Sequence, residues 1–319
     1  MTYDFTTFGE AMVRLSVRPG ETVETANRLD FFTGGSEANT AVALARLGAK
    51  TAWVSRLTKN PLGRRVAGDV ARHGVDISGV LWTDADRVGL YFVEFNPPPA
   101  SAAVTYDRAD SAFCRTLPRD LPWPLLLDTR VLHLTGITPA LSPNCRRAVL
   151  TAREKAREKK VPVSFDVNYR ARLWKPAAAV KALLPLINDT ALLVMTEEDA
   201  ATLFHLKGAP ERVAKGIRSS FKCQVAVLTL GARGAVAWDG KKLYAAPGFE
   251  RIEVIDRVGA GDAFTAGLVY GWLRGDLAAG LRYGVAASAL KMGVRGDQFL
   301  GGLPDVERLA AGRTGGINR

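Results

Sequence analysis

The hydrophobic positions of this chain predict short buried strands that alternate with amphipathic helices. Residues 51–57 are rich in β-formers, residues 61–73 have helical spacing, and residues 80–82 are again β-rich. A later β-rich run at 131–135 precedes a charged-faced helix at 143–159. Strands that alternate with helices indicate a parallel sheet with crossover helices, and therefore an α/β fold. Further strands are predicted at residues 3–9, 161–165, 192–195, 225–230, 235–238 and 242–245.

Three β-rich segments do not fit that alternation. Residues 12–17 alternate apolar with polar side chains, and residues 88–95 and 103–106 flank the loop N-P-P-P-A-S, whose prolines exclude regular structure. Because no helix separates these segments, we expect them to form a small sheet outside the main layer.

Residues 252–275 carry the pattern most suggestive of chemistry. A β-branched run ends at Asp256, the small residues Gly259, Ala260 and Gly261 follow, and Asp262 opens a long apolar segment. This order predicts a strand, a tight turn and a helix. The first amides of a helix are unpaired and carry partial positive charge, so the turn can bind a phosphate. Asp262 can either cap this helix or accept a proton from a hydroxyl that attacks the phosphate.

Composition excludes several classes of protein. The chain has 319 residues, 47% of them hydrophobic, and its net charge of +11 is not concentrated in one basic segment, so we expect no nucleic-acid partner. A general positive field favours anionic substrates instead. The three cysteines and three histidines are scattered, which argues against a zinc site or a disulfide framework. With no secretory pattern and no apolar run of roughly 20 residues, we expect a cytoplasmic protein without a membrane partner.

Two further stretches place polar side chains where ligands commonly bind. A loop at Gly34 and Gly35 opens a helix that carries Asn39, whose amide can bind sugar hydroxyls or merely cap the helix. Asn168 and Arg170 follow a predicted strand, and the carboxyl ends of parallel strands face the ligand crevice in open α/β sheets. Arg170 can bind an anionic ligand or form a salt bridge with Asp166.

The motif D-x-x-G-A-G-D-A-F-x-A-G at residues 256–267 resembles the carboxy-terminal signature of the ribokinase-like (PfkB) carbohydrate kinases. Residues 31–48 resemble the sugar-binding signature of the same family, in which the glycine pair and the asparagine touch the substrate. The resemblance implies a ribokinase-like three-layer α/β/α domain over residues 1–319. Its small β-sheet would form a lid from about residues 10–33 and 88–111.

The details resemble the branch that phosphorylates 2-keto-3-deoxygluconate. This resemblance implies that Tyr91, Tyr106 and Arg108 on the lid contact an acidic sugar, together with Asn168 and Arg170. A guanidinium suits this role because it binds a carboxylate through two charge-assisted hydrogen bonds. The G-D pair at Gly296 and Asp297 and the unusual Glu37 are similar to the same branch.

The family also implies a nucleotide site and metal ions. The loop T-L-G-A-R-G matches a nucleotide loop that would place Thr229, Gly231 and Gly234 near the phosphates of ATP, with Gly259 and Gly261 at the terminal phosphate. Thr196 and Asp199 stand where relatives carry N-x-x-E; they either act on Mg²⁺ through water or form a helix capping box. Asp256 is implied as a ligand of a monovalent cation such as K⁺.

The reaction implied is transfer of the γ-phosphoryl group of ATP to the primary hydroxyl of 2-keto-3-deoxygluconate. Asp262 would act as the base, and the amides of residues 259–261 would stabilise the phosphoryl charge. The alternatives are 2-keto-3-deoxygalactonate, fructose or ribose as the acceptor, or a non-catalytic sugar-binding or nucleotide-binding protein of the same fold. The exposed edges of the lid lead us to expect a homo-oligomer formed through it.

Overall fold

The computed structural model describes residues 1–95, 102–250 and 252–312. The proline-rich loop at 96–101 lies outside the described residues. The described residues contain fourteen strands: β1 (Phe5–Phe8), β2 (Met12–Ser16), β3 (Asp30–Gly34), β4 (Thr51–Val54), β5 (Arg56–Thr58), β6 (Leu81–Thr83), β7 (Leu90–Glu94), β8 (Ala103–Asp107), β9 (Leu132–Thr135), β10 (Val163–Asp166), β11 (Leu192–Thr196), β12 (Val225–Thr229), β13 (Ala235–Trp238) and β14 (Leu243–Ala246).

Helices connect and cover these strands. Over the same described residues they are α1 (Ser36–Arg46), α2 (Pro61–Ala71), α3 (Trp123–Leu127), α4 (Thr138–Leu141), α5 (Pro143–Glu158), α6 (Pro176–Ile187), α7 (Glu197–Phe204), α8 (Pro210–Phe221), α9 (Ala260–Trp272), α10 (Leu277–Met292) and α11 (Leu303–Ala310).

The main sheet has eight strands in the order β14-β13-β12-β11-β10-β9-β1-β4. All neighbours from β12 to β4 pair in parallel, and at one edge β13 pairs antiparallel with both β12 and β14. One apolar cluster packs α1, α9 and α10 on one face of the sheet, and a second packs α5, α6 and α8 on the other. The predicted three-layer α/β/α arrangement is confirmed.

A separate four-stranded sheet has the order β3-β2-β7-β8. Strands β2 and β7 pair in parallel and the outer pairs are antiparallel. The early strand β2 pairs with β7, and β7 pairs with β8, so the strands on either side of residues 96–101 lie in one small sheet with it, as predicted. Residues 30–34 form β3 by pairing with β2, so Gly34, which we predicted to lie in a loop, is the last residue of a strand.

Two predicted strands differ from the structure. Residues 51–57 form two strands, because the chain leaves the main sheet at Ser55, whose carbonyl accepts from Leu81, and β5 then pairs with β6 in a two-stranded sheet. Residues 252–256 form no strand. The amides of Ile255 and Asp256 both donate to the carbonyl of Met292 instead of to a neighbouring strand.

Helices α9 and α10 pack backbone to backbone at their small residues. A Cβ atom on Gly267 would lie 2.5 Å from the backbone carbonyl of Tyr283, and one on Gly271 would lie 2.3 Å from the Cα of Gly280. The close contact holds the amino terminus of α9 in a fixed position against the rest of the domain.

We predict that Gly267→Ala destabilises the protein by about 1–3 kcal/mol, because its methyl group would collide with backbone that cannot rotate away. The matched control is Gly68→Ala in the exposed middle of α2, where nothing lies within 4 Å of the added carbon. That change should stabilise the protein by roughly 0.5–1 kcal/mol. Urea unfolding measures both values, and equal effects at the two glycines would contradict the packing described.

Candidate active site

The turn before α9 is closed on one side and open on the other. Gly259 has a left-handed backbone (φ 84°), and a Cβ there would lie 1.9 Å from the carbonyl oxygen of Asp297. By contrast, nothing lies within 4 Å of a Cβ placed on Gly261. In the described part of the chain no side chain caps this helix. The amide of Ala260 makes a long hydrogen bond to the carbonyl of Arg257 (3.3 Å). The open side at Gly261 allows an anion to approach the start of this helix.

Asp262 is the third residue of α9 and is buried, with 8% of its surface exposed. Its carboxylate accepts a hydrogen bond from the Ser36 hydroxyl (2.6 Å) and another from the Asn39 side-chain amide (2.8 Å). Both donors come from α1, which packs against α9. Asp262 therefore does not cap its own helix; it is held in place by side chains from a distant part of the chain.

Burial raises the pKa of Asp262 to about 6, although the hydrogen bonds from Ser36 and Asn39 and the charge of Arg170 act in the opposite direction. A carboxylate with this pKa is mostly ionised at neutral pH and still basic enough to accept a proton from an alcohol in a transition state. Burial together with the charges of Asp262 and Asp199 raises the pKa of the nearby Asp166 to about 8. Three carboxyl groups thus share one edge of the sheet.

Asn39 and Asn168, both predicted to bind the sugar, take part in the hydrogen bonds around Asp262. The amide of Asn168 donates to the hydroxyl of Ser36 (2.9 Å), and its backbone is left-handed (φ 41°). The carbonyl oxygen of the Asn39 side chain is buried and has no partner among the described residues. That oxygen remains able to accept a hydrogen bond from a ligand.

The glycine pair at the start of α1 lies against the four-stranded sheet β3-β2-β7-β8, which we predicted to be a lid and call the lid sheet. A Cβ on Gly34 would lie 2.0 Å from the Tyr91 hydroxyl and 2.3 Å from a carboxylate oxygen of Asp297. A Cβ on Gly35 would lie 2.3 Å from the carbonyl of Glu10. Only glycine allows these approaches, which bring the lid sheet and the loop 293–297 together.

The three predicted lid residues differ in accessibility. Tyr91 is only 3% exposed, and its hydroxyl donates to Asp297 (2.5 Å). Tyr106 is 40% exposed and stacks on Tyr91, with 5.7 Å between ring centroids. Arg108 forms an ion pair with Glu10, a partner that sequence reasoning missed, and its Nε donates to that carboxylate at 2.8 Å.

Arg170 is exposed and lies close enough to the carboxyl groups of the site to affect their ionisation. Its charge opposes the rise in pKa that burial causes at Asp166, Asp199 and Asp262. The described part of the chain contains no ion pair between Arg170 and Asp166, so the salt bridge considered as an alternative does not form. The guanidinium of Arg170 is therefore available to an acidic ligand.

The predicted nucleotide residues lie side by side at the same edge. Thr196 and Thr229 are register partners at the ends of β11 and β12. Gly231 and Gly234, both with positive φ, bound the short 3-10 turn that follows β12. These positions form a second loop facing the carboxyl edge of the sheet.

Thr196 and Asp199 form the capping box of α7. The Thr196 hydroxyl accepts from the amide of Asp199 (2.9 Å), and the Asp199 carboxylate accepts from the amide of Thr196 (3.4 Å). Among the described residues no group of three or more His, Cys, Asp or Glu side chains is arranged to hold a metal ion. A magnesium ion at this edge would therefore need water and phosphate oxygens as most of its ligands.

The oxygens of Asp256 do not fit a free monovalent cation. Its carboxylate accepts from Arg14 (2.6 Å), from the amide of Gly296 (2.9 Å) and from the amide of Val258 (3.1 Å). Its backbone carbonyl accepts from the buried ammonium of Lys291 (2.9 Å). The Asp256 oxygens that the resemblance implies as ligands of K⁺ already bind two cationic side chains of the protein, Arg14 and Lys291.

A cavity of about 500 Å³ lies at the opposite edge of the main sheet, near the amino ends of β10 and β11. It is lined by side chains of α5, including Arg153 and Glu154, and by the end of α6. None of the predicted site residues lines it. The geometry that can perform chemistry is at the carboxyl edge.

Comparison with known proteins covers nearly the whole chain. A family model described as "pfkB family carbohydrate kinase" matches residues 4–304. The chain belongs to the PfkB family of carbohydrate kinases. The carboxyl-edge site with Asp262 at its centre is thus the candidate active site of a PfkB kinase.

Individual relatives of this PfkB kinase cover nearly the entire chain. A 2-dehydro-3-deoxygalactonokinase of Haloferax volcanii is 38% identical over 320 residues, covering 100% of both chains. The crystal structure of 2-dehydro-3-deoxygluconokinase from Thermotoga maritima has a TM-score of 0.91 at 31% identity and covers 97% of this chain and 99% of its own. A putative ribokinase II from E. coli, solved with ATP and Mg²⁺, has a TM-score of 0.88 at 21% identity, covering 98% and 100%.

Within the described residues, none of the helices has the length and apolar character needed to cross a bilayer.

We predict that kcat/KM for sugar phosphorylation by this kinase decreases as the pH falls through about 6, because protonated Asp262 can no longer accept a proton. Ser36→Ala removes a donor to the ionised carboxylate and should move this acid limb to higher pH. The expected shift is roughly one pH unit, since a hydrogen bond to a charged group is worth about 1.5 kcal/mol.

The measurement is kcat/KM as a function of pH. Ser219→Ala on the exposed side of α8 is the control and should leave the profile unchanged. An acid limb that stays in place in Ser36→Ala would show that Asp262 does not set it.

Proposed function

We propose that this enzyme transfers the γ-phosphoryl group of ATP to the primary hydroxyl of 2-keto-3-deoxygluconate and produces 2-keto-3-deoxy-6-phosphogluconate. The observation that carries the proposal is the position of Asp262, an ionisable carboxylate in the first turn of a helix whose start is open to an anion at Gly261. A related structure from Thermotoga maritima is named for activity on this sugar acid, also called 2-dehydro-3-deoxygluconate.

In this proposal Asp262 accepts the proton of the attacking hydroxyl while the new oxygen–phosphorus bond forms. A positioned base of this kind typically contributes about 10²–10⁴-fold to the rate. The amides of Gly259, Ala260 and Gly261 hold the charge on the phosphoryl oxygens, and the open space at Gly261 admits the phosphate. Ser36 and Asn39 keep the carboxylate aimed at the acceptor.

ATP is proposed to bind along the loops after β11 and β12, where Thr229, Gly231 and Gly234 border the edge next to Thr196. Magnesium would offset the charge of the polyphosphate, and Asp199 would contact it through water. The E. coli neighbour solved with ATP and Mg²⁺ supports the same pair of ligands for this fold.

The sugar carboxylate is proposed to bind Arg170 rather than Arg108. Arg170 is exposed beside the carboxyl groups of the site, and an acidic ligand would neutralise it. Arg108 already has an anionic partner in Glu10, so its contribution to binding a second carboxylate is reduced. A neutral ketose or ribose would give the Arg170 guanidinium no carboxylate to bind directly, and therefore fits this site less well.

A second candidate acceptor is 2-keto-3-deoxygalactonate, which differs from the gluconate only in the configuration at one hydroxyl-bearing carbon. The observation that favours it is the Haloferax volcanii relative, which is named for this substrate and is 38% identical over the full chain. Both acids present the same carboxylate to Arg170 and the same primary hydroxyl to Asp262. The ratio of kcat/KM for the two epimers assigns the preference.

We predict that Arg170→Met lowers kcat/KM for both keto-deoxy acids by about 10-fold to 100-fold, because a charge-assisted hydrogen bond is worth about 1.5–3 kcal/mol. Arg108→Met should have a smaller effect, and neither change should impair neutral sugars. The assay is ADP formation over the two acids, fructose and ribose.

Arg212→Met on the exposed face of α8 is the matched control for loss of a guanidinium. Asp262→Asn provides the inactive reference, with turnover reduced by about 10²-fold or more and substrate binding nearly intact. An unchanged ratio of acid to neutral activity in Arg170→Met would oppose the proposed substrate class. Absence of ADP formation with every sugar would instead favour a non-catalytic binding protein.

A further inference from the structure

Lys291 is a fully buried lysine, with 0% of its surface exposed, in the last turn of α10. Its ammonium donates to the backbone carbonyl of Asp256 (2.9 Å) and to that of Val294 (3.2 Å). A buried ammonium is costly unless its charge is balanced and its protons are bonded. Its position among carbonyl oxygens therefore needs an explanation beyond packing.

Negative charges next to Lys291 supply this balance. Asp256 and Asp297 are both buried, and Arg14 bridges them, with 2.6 Å to each carboxylate. Two cations, Arg14 and Lys291, thus face two carboxylates within one closed volume. Burial lowers the pKa of Lys291, and the charges of Asp256 and Asp297 act against that change.

The two carbonyls that Lys291 binds belong to the two segments that shape the phosphate-binding turn. Asp256 lies three positions before Gly259, and Val294 lies in the loop that leads to Asp297. The carbonyl of Asp297 in turn touches Gly259, leaving no room for a Cβ there. The ammonium therefore ties together the segments on both sides of the turn, without reaching the reacting atoms.

Convergent backbone carbonyls next to a carboxylate are a chemical environment that suits K⁺ or NH₄⁺. A lysine ammonium provides the same charge and similar size but is attached to the chain. We propose that Lys291 is a positioning residue that acts as a built-in monovalent cation, holding the Gly259–Gly261 turn in its working shape and making the kinase independent of K⁺.

The experiment compares the wild-type protein with Lys291→Ala in N-methylglucamine chloride, KCl and NH₄Cl at equal ionic strength. The wild type should have the same kcat in all three salts. Lys291→Ala leaves room for an ion at the carbonyls; its kcat should fall by about 10-fold to 100-fold in N-methylglucamine chloride, with little change in KM. KCl or NH₄Cl should restore most of this loss.

Lys291→Met is the matched control, because its side chain fills the space and carries no charge. It should lose activity as Lys291→Ala does but gain nothing from K⁺. Melting temperature gives a readout that needs no sugar: KCl should raise it in Lys291→Ala but not in the wild type or in Lys291→Met. The inference rests on the proposed phosphoryl transfer only for the activity measurement, so a wrong sugar assignment leaves the melting result intact.

Three outcomes would overturn the inference. One is activation of the wild type by K⁺ relative to N-methylglucamine. Another is a fully active Lys291→Ala in the absence of K⁺ and NH₄⁺. The third is a folded Lys291→Ala that neither ion rescues or stabilises. If Lys291→Ala cannot be purified, the wild type still tests the inference. Equal kcat in the three salts supports it, and activation by K⁺ overturns it.

Discussion

The guanidinium of Arg14 joins the lid to the turn on which catalysis is proposed to depend. It comes from β2 of the small sheet, is fully buried, and binds Asp256 before the turn and Asp297 after α10. Burial disfavours its charge, but the charges of Asp297 and Asp256 outweigh that effect and raise the pKa of Arg14. Removing one partner from such a buried pair typically costs about 3–5 kcal/mol. The lid and the turn are therefore coupled through the two ion pairs of Arg14.

The two sides of the turn have different functions within a small volume. Arg14, Lys291, Asp256 and Asp297 form a closed and charge-balanced support behind the turn, with Tyr91 donating to it. On the open side, the carboxyl groups near Asp262 face the ligand crevice with Arg170 as their exposed cation. A phosphate and a divalent ion can thus enter a site whose rear wall is already neutralised. This arrangement suits a reaction in which charge must be held still while a phosphoryl group moves.

The parts of this site that depend on local pattern could be predicted from the sequence. The turn, the helix behind it and Asp262 were predictable because small residues followed by an apolar periodic segment occur within a few positions. The residues that support Asp262 and the turn were not. Arg14 contacts Asp297 across 283 positions, and Ser36 contacts Asp262 across 226. Nothing in the chain near Arg14 distinguishes it from a surface arginine on an amphipathic strand.

Contacts between residues that are far apart in the sequence also explain the other differences between the predictions and the structure. Residues 252–256 have strand-like side chains, yet their backbone bonds Met292 and Lys291, which only the fold brings near. Glu10 precedes a strand and carries no motif, but the pairing of β2 with β7 brings it within reach of Arg108. The assignment of Asp256 to a free cation followed from the family resemblance. The structure instead places a lysine from another helix at its carbonyl.

The most direct test of the account is a crystal structure with Mg²⁺, a non-hydrolysable ATP analogue and 2-keto-3-deoxygluconate bound together. We expect the primary hydroxyl of the sugar to lie about 2.6–3.2 Å from the Asp262 carboxylate, with the terminal phosphate against the amides of residues 259–261. A terminal phosphate bound elsewhere, or an acceptor hydroxyl out of reach of Asp262, would contradict it.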